Sequence, residues 1–196
     1  MSEAGTPNLE AIAAARFDEA ARLFAALGPL AREVAAAAER LRATVAGGGT
    51  VLTCGNGGSA AEAMHLAEEL VGCYRDRSRP ARAAICLNAD PTALTCIAND
   101  LGYDEVFARG VDAVGRRGDL LVALSTSGRS PSVLRALERA RGRGIATVGL
   151  LGKGGGPAAA LCDHPIVVPH DDAGHVQEVH LAIVHVLCEA VEPHAI

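Results

Sequence analysis

Residues 119–151 read DLLVALSTSGRSPSVLRALERARGRGIATVGLL, and this stretch decides the predicted fold. Two short runs rich in Val, Leu and Ile, at 119–125 and 145–151, flank a segment at 130–142 in which apolar residues recur with helical spacing. Nearly continuous apolar runs separated by a helix are typical of parallel strands in a sheet that helices cover on both faces. The stretch therefore predicts a strand–helix–strand unit with parallel strands.

The same alternation continues on both sides of this unit. Further apolar runs lie at 50–54, 83–87 and 164–169, and further helical stretches at 58–73, 90–99, 104–115, 157–162 and 174–192. We therefore predict an α/β domain over residues 47–196, with five parallel strands in a doubly wound sheet. The Ala-rich residues 1–46 are predicted to form a helical arm, interrupted at Gly28-Pro29, that packs on the body or on another subunit.

Composition and charge argue against several classes of function. The 196 residues carry a net charge of -5 without a block of Lys and Arg, which disfavours a nucleic-acid or anionic-membrane partner. No apolar run approaches the ~20 residues of a membrane span, and the N-terminus lacks the basic start of a secretory signal. The six cysteines form no C-x-x-C pair, so we expect reduced thiols in a cytoplasmic protein.

The first of three glycine-rich or serine-rich loops is Gly55-Asn56-Gly57-Gly58-Ser59-Ala60, between a predicted strand and helix. Its amides would lie at a helix N-terminus, where backbone N–H groups and the helix dipole favour an anion. The loop also fits the G-x-G-x-x-A pattern of dinucleotide sites, which requires an acidic residue about 20 residues on. The first acid after the next strand is Asp90, 35 residues past Gly55, so we favour an anion site over a dinucleotide site.

The second loop, Ser125-Thr126-Ser127-Gly128-Arg129-Ser130-Pro131, places four hydroxyl groups beside a helix start. Ser130 is predicted to be the N-cap residue and Pro131 the first helical residue. A capped turn would explain these two residues but not the other three hydroxyls, which favours a phosphate site. The third loop, 152–157, is predicted to be a tight turn, because Lys153 is not followed by the Ser or Thr of a P-loop.

Histidine and carboxylate residues on two predicted helices suggest a metal site. His65 and Glu69 are four residues apart on one helical face, where they can share a metal, act as a base and its orienting group, or simply form a surface pair. His185 is flanked by apolar residues, and Gln177 precedes it by ~12 Å of straight helix. Both can bind one ion only if Gln177 lies at the helix start, the helix bends, or one ligand comes from another subunit. His180 is the competing ligand, and these ligand types suit Zn²⁺.

Asn99 and Asp100 end another predicted helix. Their side chains could bind sugar hydroxyls, or they could simply terminate the helix, since Asn and Asp favour such positions. The residues alone leave both interpretations open.

Five motifs along the chain resemble a known family. CGNGGS (54–59), AMHLAEEL (63–70), IANDLGY (97–103), STSGRSPSV (125–133) and VQEVHLAIVH (176–185) occur in the order found in phosphoheptose isomerases, which belong to the sugar isomerase (SIS) domain superfamily. The resemblance covers essentially the whole chain. It implies a flavodoxin-like SIS fold and a homotetramer with active sites between subunits. It also implies interconversion of sedoheptulose 7-phosphate and D-glycero-D-manno-heptose 7-phosphate for nucleotide-heptose synthesis.

The resemblance also implies a role for individual residues, carried over by position. The phosphate would be bound by Ser59, Ser125, Thr126, Ser127 and Ser130. The sugar site would be lined by Asn56, Gly57, Gly58, Asn99 and Asp100, with Glu69 and Gln177 also contacting substrate. One Zn²⁺ per subunit would be held by His65, Glu69, Gln177 and His185, which favours Gln177 over His180.

The chemistry that the resemblance implies needs an acid and a base. Aldose–ketose isomerisation removes a proton next to a carbonyl and returns it one carbon away, through a cis-enediol. We expect Glu69 to move the carbon-bound proton and His185 to move protons on oxygen, each role accelerating the reaction by ~10²–10⁴-fold. A divalent ion could polarise the carbonyl or fix the geometry, although a metal-bound carboxylate is a weaker base.

One position departs from the family pattern. Relatives carry Arg four residues after the glutamate that matches Glu69, whereas this chain has Cys73, with Arg75 two residues on. The lost cation leaves open an isomerase for another sugar phosphate. A non-catalytic SIS protein that binds a replication initiator is a second alternative, disfavoured by the retained acid and base residues. A sugar-phosphate-sensing regulatory domain is a third, and no segment is free to form the DNA-binding module that usually accompanies it.

Overall fold

The computed structural model describes residues 8–193, which contain one five-stranded sheet. The strands are β1 Val51–Gly55, β2 Ala84–Cys86, β3 Leu120–Ser125, β4 Ala146–Leu151 and β5 His164–Val167. All neighbouring strands pair in parallel, in the order β2-β1-β3-β4-β5. The doubly wound parallel sheet predicted from the sequence is confirmed. The strand order reverses between β1 and β3, and sheets of this kind bind ligands at that switch point.

Eight α-helices connect and flank these strands within residues 8–193. They are α1 Leu9–Ala25, α2 Ala31–Ala46, α3 Gly58–Val71, α4 Pro91–Leu101, α5 Val106–Val114, α6 Pro131–Gly142, α7 Gly156–Leu161 and α8 Ala173–Glu189. Every helix and strand predicted from the body of the sequence is present. Their ends differ from the predicted ones by at most three residues, the largest difference being at α8, which ends at Glu189 rather than at 192.

The sheet has a separate apolar core on each face because successive side chains of a strand point to opposite sides. Leu120, Val122 and Leu124 of β3 join the cluster beneath α2, α3 and α8. Leu121 and Ala123 join the cluster beneath α5, α6 and α7. Burial of all six β3 residues explains why this strand reads as a continuous apolar run.

The arm predicted over residues 1–46 forms two helices, α1 and α2, from residue 9 onward. Helix α2 buries Leu41 in the core, and α1 adds Leu23 to the same cluster. Ion pairs also hold α1 on α8, among them Arg16 to Asp172 at 2.9 Å and Arg16 to Glu178 at 3.2 Å. The first seven residues of the predicted arm and the last three of the predicted 47–196 domain lie outside the described residues. Within residues 8–193, every helix is too short or too polar to cross a membrane.

Candidate active site

The first and second loops meet at the carboxyl ends of β1 and β3 and enclose a small pocket. The pocket has a volume of about 80 Å³. Its lining combines five hydroxyl side chains with two amides and one apolar residue: Ser59, Ser125, Thr126, Ser127, Ser130, Asn56, Gln177 and Leu124. All five residues to which the resemblance assigns the phosphate are therefore brought together at one place, beside the N-termini of α3 and α6, where an anion is favoured.

The third loop supports the second. Gly128 has φ +60°, and a Cβ at this position would lie 1.9 Å from the carbonyl oxygen of Gly155. The Gly128 carbonyl accepts a hydrogen bond from the amide of Ala158 at 3.1 Å. Only glycine allows so close an approach at this φ. The tight turn predicted at 152–157 therefore packs directly against the second loop and holds it in place.

Asn56 joins the first and second loops. Ser130 occupies the N-cap position of α6, as predicted, but its hydroxyl makes no capping bond to the helix. Instead, Asn56 Nδ2 donates to Ser130 Oγ at 2.9 Å and to Ser132 Oγ at 3.0 Å, while Tyr103 Oη donates to Asn56 Oδ1 at 2.7 Å. Tyr103 and Ser132 were not among the residues predicted for the site, although both lie inside the motifs that carry the family resemblance.

Gln177 lies against Gly58, near the start of α8. A Cβ on residue 58 would come within 2.5 Å of Gln177 Nε2, so the absence of a side chain there makes room for the amide. The amide lines the hydroxyl pocket. Because α8 begins at Ala173, Gln177 already lies one turn inside the helix, and ~12 Å of regular helix separates it from His185. The structure therefore does not bring these two residues to one ion within a single subunit.

Helices α3 and α8 run in the same direction, which places their polar residues in matching order. Gly58 faces Gln177, Glu62 faces His180, and His65 faces His185. In the sequence, these residues belong to separate motifs. The parallel packing makes them one polar seam that leads from the hydroxyl pocket along the two helices.

His65, Glu69 and His185 come together at the far end of this seam. His65 Nε2 lies 3.5 Å from Glu69 Oε1, and the His65 and His185 rings are 5.4 Å apart between centroids. Glu68 offers a further carboxylate, and ligand atoms of His65, Glu68 and Glu69 all lie within 4.8 Å of one another. His65 Nε2 is buried without a hydrogen-bond partner. A buried nitrogen left unpaired is costly, and imidazole and carboxylate donors suit a divalent ion, so these residues fit a metal site.

Glu62 and His180 lie between the pocket and this cluster. His180 is fully buried, its Nε2 lies 3.2 Å from the Leu151 carbonyl oxygen, and its Nδ1 lies 3.8 Å from Glu62 Oε2. Burial raises the pKa of Glu62 to about 8 and lowers the pKa of His180 to about 4. Both side chains are therefore neutral near pH 7, with His180 donating from Nε2 to Leu151.

Tyr74 packs on His185 from the segment that follows α3. The two rings are stacked with centroids 5.6 Å apart. The Arg75 guanidinium lies 5.1 Å from the centroid of the Tyr74 ring, and it also forms an ion pair with Glu189 at 2.7 Å. Cys73, at the position where relatives carry Arg, is exposed. Arg75 is engaged by this stack and this ion pair, so it does not simply replace the missing arginine.

Asn99 and Asp100 are not brought into the pocket. Both are exposed at the end of α4, where Asn99 Nδ2 donates to Asp100 Oδ1 at 2.6 Å. Neither is among the residues that line the hydroxyl pocket. Tyr103, two residues after this helix, is the contact that links α4 to the first loop.

Comparison with known proteins identifies the family. The sequence profile of the SIS domain matches residues 17–152. A phosphoheptose isomerase of a Bradyrhizobium strain is 50% identical over 161 residues, which cover 80% of this chain and 81% of that protein. One of Vibrio parahaemolyticus is also 50% identical over 161 residues, covering 82% of this chain and 83% of that protein. The chain belongs to the phosphoheptose isomerase family.

Solved structures of phosphoheptose isomerases agree with this assignment. The protein from Neisseria gonorrhoeae superposes with a TM-score of 0.88 at 38% identity, covering 94% of this chain and 98% of that one. The protein from Francisella tularensis gives a TM-score of 0.91 at 30% identity, covering 96% and 100%. The SIS fold and the family that the motifs implied are therefore confirmed.

Proposed function

We propose that this protein is an aldose–ketose isomerase that interconverts sedoheptulose 7-phosphate and D-glycero-D-manno-heptose 7-phosphate, a step in nucleotide-heptose synthesis. Its membership of the phosphoheptose isomerase family supports the reaction and the substrate class. The polar seam between α3 and α8 supports a site in which one end binds phosphate and the other carries out proton transfer.

The observation that carries the proposal is the distance along α3 between the hydroxyl pocket and the His65 cluster. Ser59 and His65 are six residues apart, or ~9 Å of helix. In an open-chain sugar 7-phosphate, seven bonds separate C2 from phosphorus, and an extended chain advances ~1.2 Å per bond, ~8 Å in all. A phosphate held in the pocket therefore allows C1 and C2 to reach the His65 end of the seam, where Glu69 Oε1 lies 3.5 Å from His65 Nε2.

In this arrangement the chain's own residues supply the acid and the base. Glu69 removes the proton from C1 of the ketose and returns it to C2, and its partial burial favours proton transfer to carbon by limiting competition from water. His185, held between His65 and Tyr74, moves the proton between the two substrate oxygens. The hydroxyl pocket fixes the phosphate, so that both groups act on a substrate of defined orientation.

We further infer a Zn²⁺ or similar divalent ion at the cluster. His65, Glu69 and His185 would hold it, with Glu68 as a further oxygen nearby. The fourth ligand that the family resemblance implies, Gln177, lies at the hydroxyl pocket in this chain, so it would have to come from a neighbouring subunit. When bound, such an ion polarises the substrate carbonyl. The buried, unpaired Nε2 of His65 supports this inference independently of the resemblance.

We also propose that the chain assembles as a homotetramer with active sites between subunits. Large apolar side chains are exposed on α1 and α8: Leu9, Ile12, Phe17, Phe24, Leu181 and Val186. An apolar groove of about 330 Å³ runs between the arm and α8 beside them. Exposed apolar side chains beside an apolar groove are typical of a protein interface, and α8 carries His185.

A cytoplasmic location is the corresponding proposal for the compartment. All six cysteines are free, and burial raises the pKa of Cys162 and Cys188 to about 12, which keeps these thiols protonated and unreactive. Free thiols suit a reducing compartment.

The proposal is tested by a coupled turnover assay with sedoheptulose 7-phosphate, before and after treatment with a chelator and after addition of Zn²⁺. We expect turnover that the chelator abolishes and zinc restores. Fructose 6-phosphate and ribulose 5-phosphate, one and two carbons shorter, are the matched controls. Turnover of a shorter sugar alone would contradict the heptose assignment, and Cys73, where relatives carry Arg, would be the first position to explain the different substrate. No turnover of any of the three sugars would indicate an SIS protein that binds without catalysis.

A further inference from the structure

The segment between α3 and β2, residues 72–83, contains a fully buried arginine outside the seam described above. The side chain of Arg79 has 0% exposure, and that of its partner Glu192 has 7%. A charged side chain is seldom buried to this extent unless every one of its donors is used. The hydrogen bonds of Arg79 therefore show which parts of the structure it holds together.

Arg79 makes its contacts at the C-terminal end of α3. Its Nη2 donates to the Glu69 carbonyl oxygen, and its Nη1 donates to the carbonyl oxygens of Leu70 and Pro80, each at 3.1 Å. Its Nε donates to Glu192 Oε1 at 2.8 Å. The last carbonyls of a helix have no partner within the helix, and a cation near them is favoured by the dipole. The guanidinium thus fixes the backbone of Glu69 itself.

Glu192 ties this cap to the end of α8. One carboxylate oxygen accepts from Arg79, and the other accepts from the amide of Asp76 at 2.9 Å. Glu192 follows α8, three residues after its last residue, Glu189. The ends of the two helices that carry Glu69 and His185 are therefore joined by one buried ion pair.

We propose that Arg79 is a positioning residue for Glu69, and that its ion pair with Glu192 fixes the distance between the Glu69 and His185 backbones. This inference rests on the proposed isomerase function. Glu69 is the last carboxylate before α3 ends at Val71, where a helix frays unless its carbonyls are bound. Without the guanidinium fork, the last turn of α3 loosens and the Glu69 carboxylate no longer keeps one position against the substrate carbon.

The test uses Arg79→Lys, which keeps the charge but cannot reach the three carbonyls and the carboxylate together. Glu192→Gln is the second variant, since it leaves the bonds to the carbonyls in place. Arg77→Lys is the matched control, because Arg77 lies in the same segment and is exposed. For each protein, kcat and KM with sedoheptulose 7-phosphate are measured, with rates divided by the folded fraction from circular dichroism. The deuterium isotope effect on kcat is measured with substrate labelled at C1.

Misplacement of a catalytic group by about 1 Å can cost ~10²-fold in rate, so we expect kcat of Arg79→Lys to fall 10- to 100-fold. KM should stay within about twofold of the wild type, and the isotope effect should be at least as large as in the wild type. Glu192→Gln should show the same pattern with a smaller loss, and Arg77→Lys should match the wild type. A merely structural role would lower the folded fraction without changing the corrected kcat.

A corrected kcat for Arg79→Lys equal to that of Arg77→Lys would overturn the inference. A higher KM with an unchanged kcat would also overturn it, because the effect would then lie in phosphate binding and not in the position of Glu69. An inactive wild-type protein would refute the proposed function itself, so the two failures are distinguishable.

Discussion

Gly58 is the residue at which the chain makes room for Gln177. A Cβ there would lie 2.5 Å from Gln177 Nε2, so even alanine would displace the amide from the hydroxyl pocket. We predict that Gly58→Ala raises KM for the sugar phosphate about tenfold, as expected for one lost hydrogen bond to a charged ligand. Gly142→Ala is the control, because no atom lies within 4 Å of a Cβ at that position. Equal KM values for the two variants in steady-state assays would contradict this role of Gly58.

Glu62 makes stability depend on pH. Its pKa rises from 4.5 to about 8 on folding, so the folded state holds a proton that the unfolded state releases, and the free energy of unfolding falls as pH rises across that interval. The pKa of His180 falls from 6.5 to about 4, which acts in the opposite direction below pH 6.5. The net fall in stability from this pair is therefore confined to pH 6.5–8, with a slope of up to ~1.4 kcal/mol per pH unit.

The variant that isolates this effect is Glu62→Gln, which stays neutral at every pH. We predict that urea unfolding of the wild type shows declining stability between pH 6.5 and 8, and that this decline is much reduced in Glu62→Gln. Parallel stability curves for the two proteins would show that Glu62 titrates normally in the folded state.

At the scale of elements, the segment after α3 holds His185 in place through a stack of rings. Tyr74 lies between the Arg75 guanidinium and the His185 ring, and Arg75 is held by Glu189. We predict that Tyr74→Ala lowers kcat about tenfold, since an unsupported imidazole loses its orientation for proton transfer. Tyr74→Phe keeps the ring and should retain near-normal turnover. If the two variants lose activity equally, the tyrosine hydroxyl rather than the stack is what matters.

The sequence predicted the elements well because their signals are local. Buried parallel strands read as apolar runs, and the loops at their ends carry the glycines and hydroxyls of the pocket. Contacts between distant segments left no such signal. The Asn56–Ser130 bond replaces the expected cap on α6. Neither Arg79 nor Glu192 stands out in the sequence, because the ion pair between them joins residues 113 positions apart.

The candidate site was predicted in its parts and not in its arrangement. His65, Glu69 and His185 are recognisable by residue type and spacing, and the structure brings them together. The alignment of α3 with α8 follows only from the topology, since both helices pack on the same face of the sheet and both follow strands of parallel direction. That topology also explains why Gln177 lies with the hydroxyl pocket while His185 lies with His65.

At the scale of the whole molecule, the exposed apolar residues of α1 predict self-association. Phe17 is 72% exposed on α1, on an arm that also carries exposed Leu9 and Ile12. We predict a tetramer by sedimentation equilibrium, and a shift to smaller species in Phe17→Glu, because a buried unpaired carboxylate is strongly unfavourable in an interface. Ala14→Glu places the same charge at another exposed position of α1, and comparing the two variants shows whether the shift in size is specific to Phe17. A monomeric wild type would contradict the proposed assembly.

The seam between α3 and α8 is proposed to bind the phosphate of a heptose at one end and to carry out proton transfer at the other. The most direct measurement compares turnover of sedoheptulose 7-phosphate by the wild type and by Glu69→Gln, with Glu33→Gln, an exposed glutamate of α2, as the control. We predict that the wild type and the control turn over alike and that Glu69→Gln loses at least ~10²-fold in kcat while keeping the wild-type circular dichroism spectrum. Near-normal turnover by Glu69→Gln would contradict the account.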